Sequence, residues 1–154
     1  MNPKQLKLAR RQLDQTLKRF QVLQSIPVPK KGWIRAIRDT LGMTGSRLAH
    51  RLGVKQQRIT RIEQDERLGK VTLRTMQQTA EAMDCIFVYA IVPRDSLEAI
   101  VRKQAQMLAQ KRMAQSSHTM HLEQQELTEE EQSRALEDLI DEIIDTMPKT
   151  LWDK

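Results

Sequence analysis

The stretch Met43 to Gln64, MTGSRLAHRLGVKQQRITRIEQ, holds the residues whose types and spacing suit a definite chemistry. Val54, Ile59 and Ile62 are apolar, and Ile59 and Ile62 recur at helical spacing. They would pin a helix to a core and leave Gln56, Gln57, Arg58, Thr60 and Arg61 on its opposite face. A polar helix face of this kind can enter the major groove of DNA, where its first turn meets base edges. A Gln amide matches the donor and acceptor of adenine N6 and N7, and an Arg guanidinium matches guanine O6 and N7. Each such bidentate pair discriminates by about 1–3 kcal/mol. The alternative reading is a small helical bundle with a solvated polar face.

Other reactive types do not converge. His118 and His121 are three apart, as metal ligands on one helix turn would be, but only Glu123 accompanies them and solvated imidazoles are expected. His50 is expected on an outer helix face. No Ser-His-Asp order, glycine-rich phosphate loop or believable carboxylate pair is present, so neither an enzyme nor a cofactor or metal is expected. Cys85 is the only cysteine, which excludes an internal disulfide and reads as a buried structural thiol.

The elements that must position this segment read as helices. Residues 4–24 carry Leu6, Ala9, Leu13, Leu17 and Phe20 at spacings of three and four. SIPVPKKG, residues 25–32, breaks the pattern with two prolines and a glycine. Ile34, Ile37 and Leu41 then mark a helix ended by Gly42. Thr44 is placed to cap the next helix and Gly53 to end it, with Ala49 small where two helices must approach. Leu73, Met76, Ala80 and Met83 follow, with Thr72 as the cap. A helix capped by Asp95 or Ser96 runs to about Met113. Residues 115–126 read as a linker. A last helix from about Thr128 to Thr146 lines up Leu136, Leu139, Ile140, Ile143, Ile144 and Met147 on one face, with acids on the other.

One segment stands apart. DCIFVYAIVP, residues 84–93, alternates like a β-strand and is rich in β-branched and aromatic types. A lone strand cannot leave its backbone groups unpaired in a buried setting. Pairing with its own copy across a two-fold axis answers this, with Phe87, Tyr89 and Ile91 covering the bundle and Val88 on the other face. The alternatives are a buried extended segment or a strand borrowed by another protein.

Charge is unevenly spread over the 154 residues. Residues 1–70 hold 17 Lys/Arg against 5 Asp/Glu, a net of +12, while residues 114–154 hold 3 against 11, a net of −8. A polyanion-binding front and an acidic tail follow from that asymmetry. No apolar run approaches the roughly 20 residues of a membrane span, and a cytoplasmic protein is expected. The fold class is mainly α: a helical bundle over 32–94 with one β-strand, an N-terminal helix and linker over 1–31, and a helical extension with an acidic last helix over 95–154.

Residues 33–84 resemble the Xre/Cro-type helix-turn-helix of phage repressors and bacterial antitoxins. The resemblance places Gln56, Gln57 and Arg61 at the positions that read bases. Thr44, Arg47, Arg51, Lys55, Arg58 and Thr60 fall among the phosphate-contacting or supporting positions, with Lys30, Lys31, Arg35 and Arg38 as further cations. Thr44-Gly45 stands where the family often has Thr-Gln, and Lys55 where it often has a capping Ser or Thr. The strand resembles the intersubunit strand of HipB-type antitoxins. GWIRAIRDTLGMTGSRLAHRLG, the Pro-Xaa-Pro at 27–29 and the Val-Tyr-Ala-Ile-Val-Pro at 88–93 are similar to the family called mobile mystery protein A, over about residues 1–113. That resemblance implies a dimeric, antitoxin-like repressor that binds a palindromic operator in double-stranded DNA, with a Fic-domain toxin as partner. The alternative function is an interaction module that neutralises such a partner through its C-terminal helices, with Leu136, Leu139, Ile140 and Ile143 as the docking stripe. The alternative for that stripe is packing within the protein. Ser133 and Glu137 have the spacing of a Fic-inhibitory helix motif, but Asp138 departs from its last position.

Overall fold

The computed structural model describes residues 1–122 and 128–153, and the side chains of 1–116 and 128–153. Seven α-helices are found among them: α1 (Pro3–Lys18), α2 (Trp33–Thr40), α3 (Gly45–Leu52), α4 (Gln56–Arg67), α5 (Leu73–Ala82), α6 (Leu97–Leu122) and α7 (Glu129–Thr146). Short 3-10 turns occupy Gln21–Ser25 and Lys149–Trp152. None of these helices is long and apolar enough to cross a membrane. The chain divides into two compact units, Ser25–Ile91 and Met1–Gln24 with Val92–Lys154.

In the Ser25–Ile91 unit, α2 to α5 enclose Ile34, Leu48, Ala49, Ile59, Ile62 and Met83. Leu48 and Ile59 are almost wholly withdrawn from water, each contributing roughly 1.5–3 kcal/mol of burial. Val54, read as a third pin of α4, is exposed at the turn. The buried Thr79 spends its hydroxyl on the Thr75 carbonyl, 2.7 Å away, so burial leaves it no unmet donor.

Two carboxylates of α4 hold α2. Glu66 accepts from the backbone N–H groups of Trp33 (2.7 Å) and Ile34 (3.1 Å), which the helix start would otherwise leave orphaned. Gly32 has φ +81°, and a Cβ there would stand 2.7 Å from Glu66 Oε2. Glycine therefore lets the chain turn beneath the carboxylate that caps it. Glu63 accepts from Arg38 Nε at 2.7 Å, with both side chains only about a tenth exposed. Arg38 Nη1 also donates to the Met43 carbonyl at 2.9 Å. The hydrogen bond to Glu63 raises the Arg38 pKa above its ordinary value, although burial pulls the other way. Arg38 is thus a structural cation here and not the phosphate contact its charge suggested.

The expected strand at 84–93 is not one: no β-strand is found among the described residues. Asp84 adopts a left-handed φ of +59°, its N–H donates to the Glu81 carbonyl, and that of Cys85 to Ala80. The chain leaves α5 there and continues without regular secondary structure. The sequence has strand chemistry, but a strand is defined by its ladder, and this chain supplies no second edge. Phe87 is half-buried, whereas Val88, Tyr89 and Ile91 are exposed, Ile91 at 91%. Phe87 and Tyr89 stack with ring centroids 5.8 Å apart.

The other unit is built on α6 and α7. Val101, Ala105 and Ala109 of α6 pack with Ile140, Ile143, Ile144 and Leu151, and Leu136, Leu139 and Met147 close the edges. The alanines are fully buried and let α7 approach closely. Ile140 and Ile143, proposed as a partner's docking stripe, are core residues of this unit, which is the packing alternative. Thr128 caps α7 in a reciprocal capping box with Glu131, whose carboxylate is held below its ordinary pKa by the Thr128 backbone and hydroxyl hydrogen bonds. Asp14 of α1 accepts from the N–H groups of Leu97 (2.7 Å) and Glu98 (3.2 Å), while Ser96 Oγ accepts from that of Ala99. Helix α6 extends to Leu122 where a linker from 115 was expected. The stretch lacks an apolar period but also lacks any Gly or Pro, and nothing in it stops a helix. The rest of that linker, residues 123–126, lies outside the described residues, as do the His118 and His121 side chains.

Two substitutions test the hold on α2, read by urea unfolding with Trp33 fluorescence in a Trp152→Phe background. Arg38→Ala strands the Glu63 carboxylate and is expected to cost about 2–4 kcal/mol, while the Arg38→Met/Glu63→Leu pair costs less than the sum of its singles. Gly32→Ala is expected to cost about 1–3 kcal/mol through forced backbone geometry and displacement of Glu66. Wild-type midpoints for the single variants would show that neither contact matters.

Candidate nucleic-acid interface

Helix α3, the turn at Gly53 and α4 form the site. Thr44 Oγ1 accepts from the Arg47 N–H at 3.2 Å and starts α3. Gly53 takes φ +67°, and the Val54 N–H returns to the Ala49 carbonyl at 2.9 Å, so the chain reverses in three residues. Lys55 occupies the N-cap of α4 in extended geometry and makes no side-chain cap bond. The cost of lacking a capping hydroxyl there is about 1 kcal/mol. A cation takes its place.

The two sides of α4 differ completely. Ile59, Ile62 and Glu63 are buried, and Glu66 is turned to α2. Gln56, Gln57, Arg58, Thr60, Arg61 and Gln64 are exposed. Gln57, Arg61 and Gln64 lie at i, i+4 and i+7, one row directly opposite the buried side. Gln56 stands to one flank, its side chain about 4 Å from where a Gly45 Cβ would be. Arg58 stands to the other, lining a cleft with Arg51, Val54 and Thr75. Gln64 was missed by the reading of the sequence, although its seven-residue step from Gln57 marks it.

Arg61 is three-quarters exposed and lies 4.0 Å from Asp65, a loose surface pair worth little. Its guanidinium is free to leave for a stronger acceptor. Arg47 and Arg51 are exposed on successive turns of α3 and share a shallow depression with Leu41, Met43 and His50. His50 is exposed, as expected. Lys30 is exposed, while Lys31 and Arg35 gather at 4.0 and 3.7 Å around Asp39, which also meets Arg38 at 3.1 Å. Asp39 therefore partly neutralises the cations ahead of the site. No group of three or more His, Cys, Asp or Glu among the described residues could hold a metal ion.

A second feature of this unit is an apolar groove of about 260 Å³ lined by Trp33, Ile37, Met76, Ala80, Phe87 and Val88. Cys85 is half-buried beside it, with Sγ 3.5 Å from the Met83 carbonyl. Phe87 alone of the expected covering residues reaches the bundle.

No curated protein and no solved structure matches the chain. Residues 34–85, from within α2 to the end of the turn after α5, match the family model described as helix-turn-helix. The match spans the segment that buries Ile59 and Ile62 and exposes Gln57 and Arg61. Residues 34–85 are accordingly a helix-turn-helix domain of the Xre type, the kind of domain by which a regulator binds DNA.

Proposed function

We propose that the protein is a sequence-specific transcriptional repressor that acts by binding, without catalysis, and reads bases through Gln57 and Arg61 at the centre of α4. Gln56 and Gln64 flank them, and Arg47, Arg51, Lys55 and Arg58 hold phosphates. The observation that carries this reading is the exposed polar row opposite the buried side of α4. Such a row gains nothing from packing and suits a groove lined with donors and acceptors. Gln57→Ala is expected to relax sequence preference by roughly 1–3 kcal/mol at the position it reads, with unfolding unchanged. Competition binding on the DNA upstream of its own coding sequence measures this, and an unaltered preference would remove Gln57 from the reading face.

We further propose that two copies bind together on a palindromic operator. One helix-turn-helix covers a half-site, and paired recognition helices stand about 34 Å apart. The support is the segment after Cys85, whose exposed Ile86, Val88, Tyr89 and Ile91 and unladdered backbone suit antiparallel pairing with a copy of itself. Val88→Pro removes an N–H from that ladder. Sedimentation should show a monomer with an unaltered helical signal; a persisting dimer of this variant would locate the interface elsewhere.

The resemblance of residues 1–113 to mobile mystery protein A supports an antitoxin-like role toward a Fic-domain partner and control of its own operon. Since the apolar stripe of α7 is used within its own unit, a partner at this helix would meet the acidic outer face, Asp138 and Glu142 among it. Glu137 and Asp141 there already pair with Arg102.

A further inference from the structure

The N-terminal helix has a charge arrangement that its packing does not use. Its cations Lys7 and Arg10 are compensated: Lys7 Nζ lies 3.0 Å from Asp145, and Arg10 Nε 3.0 Å from Glu98. Its one acid, Asp14, is committed to the start of α6. Lys4, Arg11 and Lys18 are exposed and have no ion pair or side-chain hydrogen bond among the described residues. They recur every seventh residue, so they form one line along α1. Each step is about 10.5 Å and the line about 21 Å long. Gln15 and Leu8 lie along it, and Arg19 extends it past the helix end.

We propose that this line is a second nucleic-acid surface, on which the phosphate backbone of duplex DNA lies. The inference rests on the DNA-binding reading of α4 and adds a contact in a different unit of the chain. A row of cations without acids repels itself and is relieved by a ligand whose charge is also in a row. Duplex DNA offers one negative charge per about 1.7 Å of axis. A membrane surface would call for a band of bulky apolar residues beside the cations, and within α1 the line has only Leu8. An acidic peptide would need apolar anchors in series, and Leu8 stands alone among the cations of the row.

The full-length protein and two triple variants decide the matter. K4Q/R11Q/K18Q removes the row. K103Q/K111Q/R112Q removes the same charge from exposed positions on different sides of α6. Binding to a long mixed-sequence duplex is followed by fluorescence anisotropy across roughly 50–200 mM salt, because each lost phosphate contact lowers the slope of log K against log salt by about 0.9. The first triple is expected to lower the slope by about 2 to 3, the second by less than about 1, and Arg11→Gln alone by about 0.9. All positions are exposed and without an ion pair among the described residues, so circular dichroism should not change. Equal slopes for the two triples would overturn the proposal. So would a first triple that keeps its slope but loses binding to phosphatidylserine vesicles, which would make the row a lipid contact. Binding that falls with Arg61→Ala and ignores the first triple overturns this proposal alone, whereas a wild type that binds no duplex overturns the reading of α4 as well.

Discussion

The helix-turn-helix unit depends on the inner edge of α4, where Glu63 and Glu66 meet α2. Burying a carboxylate is costly unless its charge and lone pairs are met, and both are. Glu63 has the Arg38 guanidinium, and Glu66 has two backbone N–H groups at the start of a short helix. With Ile59 and Ile62 buried on the same side, α4 has one orientation about its own axis. The direction of Gln57 and Arg61 follows from that orientation, because side chains on a helix have no independent choice of face. The same contacts withdraw Glu63 and Glu66 from the outer surface, which is left with cations, amides, Thr60 and Asp65.

The second unit uses charge in a parallel way. Its interior is apolar and small-residued, with Ala105 and Ala109 against the isoleucines of α7. Polar ties sit at the rim: Asp14 on the first amides of α6, Arg10 on Glu98, Lys7 on Asp145, Arg102 on Glu137 and Asp141. The tie from Arg10 turns a charge inward, while that from Lys7 stays at the surface. The uncompensated remainder is a row of cations on α1 and a set of acids on α7. The charge separation of the sequence becomes separate surfaces because the pairing at the rim is selective.

Residues 86–91 lie outside every helix and turn bond found among the described residues. The helices close their own hydrogen bonds, and the turns after α3 and α5 return theirs to nearby carbonyls. A segment outside them has no such internal solution and requires water or another edge. Its apolar side chains make water a poor permanent answer. Phe87 and Val88 line the groove with Trp33, but exposed Tyr89 and Ile91 do not reach it.

The sequence by itself determined the local events. Thr44, Gly53, Thr72 and Thr128 punctuate the helices where their hydrogen-bonding and backbone preferences require, and the period of Ile59 and Ile62 placed Gln57 and Arg61 on the outer face. These signals are legible because they involve neighbours within a few residues. Tertiary structure decided which charges are available. Arg38 and Arg58 look alike as letters, yet one is locked on Glu63 and the other is exposed, because only folding brings a buried carboxylate 25 positions away to the first. It likewise decided that Ile140 and Ile143 face α6, since an apolar stripe states that it must be covered and not by what. The helical course of 115–122 also emerged only in the structure, as that stretch has neither a breaker nor an apolar period in its sequence to announce it. For 84–93 the alternation was plain, but a strand is a relation between two edges, and one chain's sequence carries only one of them.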